Sequence, residues 1–345
     1  MKKNFPSSPY HISQPNNFQS SPQYMLNLSA NPYMASKPPK KNTTQLSNTQ
    51  MPFHSQSFRK KEVYADNFIQ EIKNISNLLP QYPYVGMDTE FPGVIYHCPV
   101  ATEDFYYKYT KVNVDKLKLI QVGITLTNDK GDSPPYISTW QFNLHFDCDK
   151  DEHSNESITM LYNSGIDFNI MKNKGIPHSL FAEYLLVSGL VLNEKITWIC
   201  FNGSSDFAYL LKYLINDNLP EDEHSFIELV NLYFPNIYDI KYLVNDNETY
   251  KGGLNKLAKE LDVERNGEIH QAGSDSQVTS DVFFRLVRNN VITSSELNNG
   301  KNIIYGIGMG ADIAETLNYT QFEQGVNITH LLQNINIGLK MNNNF

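Results

Sequence analysis

Two acids close a stretch that otherwise reads as a buried strand. In Tyr84-Val-Gly-Met-Asp-Thr-Glu-Phe-Pro-Gly93 the residues up to Met87 have strand composition, and Asp88 and Glu90 follow. Residues i and i+2 of a strand point to the same face, so both carboxylates aim at one point. The Pro-Gly pair then turns the chain away. Converging anions repel one another and resist burial. A bound divalent cation offsets that cost, and so does open solvent. The rest of the chain decides between a metal site and a solvated strand end.

Further acids stand in comparable places. Ile196-Thr-Trp-Ile-Cys-Phe201 reads as a buried strand, and Asp206 follows in the first turn of the next helix. The helix dipole favours a carboxylate there whether or not it has another role. His270-Gln-Ala-Gly-Ser-Asp275 places a histidine on a loop and an aspartate at a helix start. Strand ends and helix starts are where an α/β sheet gathers an active site. Asp88, Glu90, Asp206 and Asp275 with His270 suit two hard cations held by oxygen ligands. Such a pair can activate a water and stabilise the leaving oxygen of a phosphodiester. The histidine can take the water's proton. The sequence carries no Walker-type glycine loop, no nucleophile-elbow serine and no paired cysteine ligands, which argues against covalent catalysis and zinc. Read from residues alone, this is a two-metal phosphodiesterase.

The chain divides by composition. Residues 1–60 are rich in Ser, Asn, Gln and Pro without a sustained period, and are read as a disordered extension. Its basic runs, Lys37-Pro-Pro-Lys-Lys41 and Arg59-Lys-Lys61, are either solvated charge or weak import or RNA-contact signals. Helical spacing of Val63, Phe68, Ile69, Ile72, Ile75 and Leu79 opens the folded part near Glu62. Strands are expected at 84–91, 117–126 and 139–146, joined by short connections as an antiparallel meander. Helices and strands then alternate. Part of 156–172 is helical, Ser179 caps a helix, and Ser204 or Ser205 caps the one that carries Asp206. A helix covers 223–233, a short strand 237–243 and a helix 254–261, and Ser274 caps the last. The sum is one α/β domain with a mixed sheet flanked by helices. The domain is set at 61–312, including an ordered turn at 304–310, before an Asn-rich tail at 313–345.

Composition narrows the setting. The net charge of −9 counts against a protein that grips nucleic acid mainly through phosphate neutralisation. It leaves room for an enzyme that handles a short single-stranded end and is delivered by a partner. Cys98, Cys148 and Cys200 are few and widely spaced, which fits a reducing compartment. Neither a membrane span nor a secretory leader is expected.

At this point the residues carry a resemblance. Asp88-Thr-Glu90, Asp206 and His270 with Asp275 match, in order and context, the His-containing DEDD exonucleases. Closer still, Met87-Asp-Thr-Glu-Phe-Pro-Gly93, Leu119-Ile-Gln-Val-Gly-Ile-Thr125, Ser138-Thr-Trp-Gln-Phe-Asn143, Asp206-Phe-Ala-Tyr-Leu210, Ile237-Tyr-Asp-Ile-Lys-Tyr-Leu243 and His270-Gln-Ala-Gly-Ser-Asp-Ser276 resemble the Caf/Pop deadenylases, the nuclease subunit of the Ccr–Not complex. The similarity spans about 62–310. It implies a ribonuclease-H-like fold and 3′-to-5′ removal of poly(A) tails from mRNA, releasing 5′-AMP. It implies two Mg2+ or Mn2+ ions bridged by Asp88, with Glu90, Asp206 and Asp275 completing the ligands and His270 as general base. Implied partners are poly(A), the large Not scaffold and, through a separate surface, the leucine-rich repeats of a second deadenylase. The implied location is cytoplasmic, with a nuclear pool in some lineages.

The sequence departs from the family where Phe-His-Ser-Gly-Tyr-Asp-Phe is usual. Here Phe201-Asn-Gly-Ser-Ser-Asp-Phe207 puts Asn202 in place of the His and Ser205 in place of the Tyr. An aromatic lost beside the site removes base stacking worth about 1–3 kcal/mol, or is simple repacking. Phe91, next to the acids, is either a stacking surface for the terminal base or a core aromatic at a strand end. Two other functions stay open: a catalytically idle adaptor of the same complex, and a DEDD exonuclease on another RNA. Retention of all five catalytic positions disfavours the first.

Overall fold

The structure, a computed structural model, describes residues 60–96 and 104–308. The expectations for residues 1–59 and 309–345, and for Cys98, lie outside the described residues. Elements run in the order β1 (Lys60–Val63), α1 (Phe68–Leu78), β2 (Tyr84–Glu90), α2 (Phe105–Lys116), β3 (Gln121–Thr127), β4 (Thr139–Asn143), α3 (Asn155–Asn163), α4 (Phe168–Lys174) and α5 (His178–Val187). They continue with β5 (Thr197–Cys200), α6 (Ser204–Ile215), α7 (Glu223–Tyr233), β6 (Ile237–Asp239), α8 (Ile240–Leu243), α9 (Leu254–Glu260), α10 (Ala272–Arg288) and α11 (Ser294–Gly300).

The six strands form one sheet in the order β1-β4-β3-β2-β5-β6. β2, β3 and β4 are antiparallel neighbours, while β1 pairs parallel to β4, and β2, β5 and β6 are parallel. This is the expected mixed sheet flanked by helices. Alternation along the strands gives each face its own core. Val85, Met87, Val122 and Phe142 join the large cluster with Trp198, Phe207 and Phe234 on one side. On the other, Ile199 packs with Val278, Val282 and Phe283 of α10.

α10 lies across β2, β3, β4 and β5, and it lies unusually close. A Cβ on Gly86 would sit 2.6 Å from the Ser276 carbonyl oxygen. A methyl on Gly123 would fall inside the Ala272 carbonyl. Gly123 is the residue paired with Asp88 across β2 and β3. The helix answers with small residues: Ala272, Gly273, Ser276, Thr279 and Ser280 are all buried. Two glycines on the strands and small residues on the helix thus bring backbone against backbone beside the first acid.

Several local expectations are corrected. Lys60, placed in the expected extension, opens edge strand β1, and the expected helix only starts at Phe68. The connection from β2 to β3 is not short, because α2 lies in it. Residues 237–243 are not one strand; Asp239 ends β6 and caps α8 through the Lys241 N–H. α11, to which the sequence reading assigned no element, carries a capping box of Thr293 and Glu296. The serine caps are displaced as well. Pro177, Gly203 and Gln271 hold the N-cap positions of α5, α6 and α10, none with a side-chain cap bond.

The close approach makes a stability prediction. Gly123→Ala must push α10 off the sheet and should cost about 3 kcal/mol in urea unfolding. Gly253→Ala, where the added methyl meets open space, should cost less than about 1 kcal/mol. Equal effects would show that the contact at Gly123 is soft.

Candidate active site

The structure brings Asp88, Glu90 and Asp206 together with Asp275. Asp88 and Glu90 lie on the face of β2 that meets α10. Burial pushes the Asp88 carboxyl well above the usual range, and the charges of Asp275, Asp206 and Glu90 add to it, with Arg265 pulling the other way. Glu90 is raised by burial and by Asp275 and Asp206. Burial lifts Asp206 to about 7, although Thr89 donates to it from both hydroxyl and backbone. Thr89, between the two acids in sequence, therefore ties α6 to the end of β2.

The turn that delivers Asp206 is fixed from below. Asp239 is fully buried. Its carboxylate accepts the N–H groups of Asn202 at 2.8 Å and Gly203 at 3.0 Å, and of Tyr305 at 3.1 Å. Asn202 takes a left-handed φ of 62°, a conformation asparagine tolerates better than most residues. The departure at this position thus keeps the turn. Ser205 is partly exposed in the first turn of α6.

Asp275 sits in the first turn of α10 and is buried. Its Oδ2 accepts the His270 N–H at 3.0 Å, and its Oδ1 pairs with Arg265 Nη1 at 2.7 Å. Arg265 is itself held by Ser274 Oγ at 3.1 Å and Asn255 Oδ1 at 2.6 Å. The sequence reading missed Arg265, which stands in a loop of Glu, Asn and Gly with no periodic or motif signal. His270 is exposed on that loop. Phe91 stacks on Tyr209 at 5.4 Å between ring centres and is half-buried. One ring face is therefore taken by the core.

The donor set fits hard divalent cations. Ligand atoms of Glu90, His270 and Asp275 lie within 4.8 Å of one another. Asp206 is near enough to raise Glu90, and Asp88 is itself raised by Glu90, Asp275 and Asp206. Four crowded carboxylates, rich in oxygen and free of cysteine, match what Mg2+ or Mn2+ requires. The grouping brings His270 to the acids, closer than a base acting from a distance would need.

The CAF1 family ribonuclease model matches residues 63–183 and 180–283. The chain belongs to the CAF1 ribonuclease family. It is 44% identical over 232 residues to the CCR4-NOT transcription complex subunit 7 of Caenorhabditis elegans, covering 65% of this chain and 74% of the relative. It is 40% identical over 252 residues to the poly(A) ribonuclease pop2 of Schizosaccharomyces pombe, covering 72% and 75%. The solved structure of S. pombe Pop2p in its Mg2+- and Mn2+-bound form superposes with a TM-score of 0.68 at 38% identity, covering 72% of this chain and 99% of that one. The ribonuclease-H-like fold expected of a CAF1 member is present. The family is one of deadenylase nucleases of the Ccr4–Not complex.

The crowding has a sign in stability. Asp206 binds its proton more tightly folded than unfolded, since its pKa rises to about 7 from an ordinary value near 4. Folding then takes up protons between those values, so stability falls as pH rises through that window. In chelator, the melting midpoint should decline from pH 5 to pH 8. Asp88→Asn, which removes one repelling charge, should raise the midpoint at pH 8 by about 4 °C and flatten the slope. A midpoint lowered by that substitution would show that Asp88 is held by favourable partners instead.

Proposed function

We propose that this chain is a metal-dependent 3′-to-5′ exoribonuclease that removes adenylates from the end of an mRNA tail and releases 5′-AMP. The observation that carries the proposal is the convergence of Asp88, Glu90, Asp206 and Asp275 with His270 in a CAF1-family chain. Asp88, Glu90, Asp206 and Asp275 would hold two divalent cations. When bound, such ions supply a nucleophilic water at neutral pH and stabilise the charge on the leaving oxygen.

The chain's own residues do the rest. His270 accepts the proton of the attacking water at an imidazole nitrogen as the new phosphorus–oxygen bond forms. The bond from phosphorus to the 3′ oxygen of the preceding nucleotide breaks, that oxygen takes a proton from solvent water as it leaves, and His270 returns its own proton to solvent. Thr89 holds the Asp206 carboxylate in place. Arg265 holds Asp275 beside the other acids by pairing with one of its oxygens. The half-exposed ring of Phe91 offers the terminal adenine a surface, with Tyr209 behind it.

The worm relative is named as a subunit of the CCR4-NOT complex. The proposal extends to docking of this chain on the Not scaffold of such a complex, beside a second deadenylase with leucine-rich repeats. A net charge of −9 gives it little non-specific hold on RNA, so delivery by an assembly suits it.

A 5′-labelled RNA ending in twenty adenosines tests the reading, beside one ending in twenty uridines. With Mg2+ or Mn2+ the wild type should shorten the A tail from its 3′ end, and chelator should stop it. Asp88→Ala should lose at least ~10³-fold and His270→Ala ~10²-fold. An A tail left intact by the wild type with both metals and with the scaffold present would favour the idle adaptor.

A further inference from the structure

Three stretches singled out in the sequence have no part in the chemistry above: Leu119–Thr125, Ser138–Asn143 and the Gln-Ala-Gly after His270. The sheet register explains what they share. On the α10 face, Glu62, Gln141, Gly123 and Asp88 form one cross-strand row, and Asn143, Gln121 and Glu90 form the next. The alternation that aims the two acids also aims three amides at the start of α10.

Those amides are engaged. Gln141 Oε1 accepts the Gly273 N–H at 3.0 Å, and Gln121 Oε1 lies 3.4 Å from the Ala272 N–H. The helix that lacks a cap of its own is capped from the sheet. Gln121 donates to Asn143 at 2.7 Å, and Asn143 to Glu62 at 2.9 Å. Gln271 stands at the centre. Its Oε1 accepts from Lys60 Nζ at 2.7 Å, and its Nε2 donates to the Ser164 carbonyl at 2.7 Å. Ser164 Oγ, whose single proton is shared with the Leu161 carbonyl, reaches the His270 carbonyl at 2.9 Å.

His270 needs such a frame. It is exposed, and its φ of 63° is a strained left-handed state for a residue with a Cβ. Its N–H is held by Asp275, its carbonyl by Ser164, and the next residue by β1 and the α3–α4 turn.

We propose that Gln271, acting with Ser164, is a positioning residue that sets the backbone of His270 over the acids. The proposal rests on His270 being the base of the nuclease reading. The side-chain amide bridges the edge strand and the α3–α4 turn, and so fixes the one peptide from which the imidazole projects.

Two measurements on the full chain test it. Gln271→Ala should lower kcat on the A-tailed RNA about tenfold with KM unchanged, and Ser164→Ala should do the same to a lesser degree. In a His270→Ala background, Gln271→Ala should cost nothing further. Independently of activity, Gln271→Ala should speed hydrogen exchange of the His270 amide at least tenfold while amides of α10 from Val278 onward stay protected. Full additivity with His270→Ala, or unchanged exchange at His270, would overturn the positioning role. If the wild type proves inactive, the nuclease reading fails, while the exchange arm still decides whether the clamp exists.

Discussion

The close approach of α10 to β2 and β3 is the contact on which the site depends. Gly86 and Gly123 leave no room for side chains under the helix, and α10 presents Ala, Gly and Ser in return. Because Gly123 lies opposite Asp88, the helix start is delivered to the strand end, and Asp275 with it. A helix held further off the sheet by larger side chains would keep Asp275 back from its partners. Packing, not charge, brings the four acids together; charge alone would drive them apart.

That opposition is partly balanced within the fold. Arg265 neutralises one face of Asp275 and lowers the proton affinity of Asp88. Thr89 supplies hydrogen bonds to Asp206, and Asp239 fixes the turn before it while adding a charge that raises Asp206 further. What is left over is repulsion among buried carboxylates, the sort of strain that folds tolerate at functional sites. The polar rows on the α10 face extend the same logic. They satisfy the helix amides without adding bulk, which a conventional serine cap on the helix itself would not achieve from the sheet side.

Much of this was legible in the sequence, for definite reasons. Asp88 and Glu90 reveal themselves through strand alternation, and Asp206 and Asp275 through their place at helix starts. The mixed sheet follows from the order of apolar runs. The misreadings have physical causes too. β1 is a short edge strand written Lys-Lys-Glu-Val, with only its last residue buried, so no apolar run marks it. α2 mixes Tyr, Lys, Thr and Asn and lacks a clean apolar stripe. Serines near helix starts suggested caps, yet Ser204 and Ser274 lie inside the first turns, and the amides of α10 find their acceptors on other strands. Arg265 and the Ser164–Gln271 link join residues distant in sequence or in featureless loops, and only the fold brings them to the acids.

The central claim is that these carboxylates form a divalent-cation site assembled by the seating of α10. Titration with Mn2+, followed by electron paramagnetic resonance of the free ion, tests it most directly. The account predicts saturable binding of two ions per chain, reduced in Asp88→Ala and in Asp275→Ala. Binding unchanged in both variants, or no saturable binding by the wild type, would contradict it.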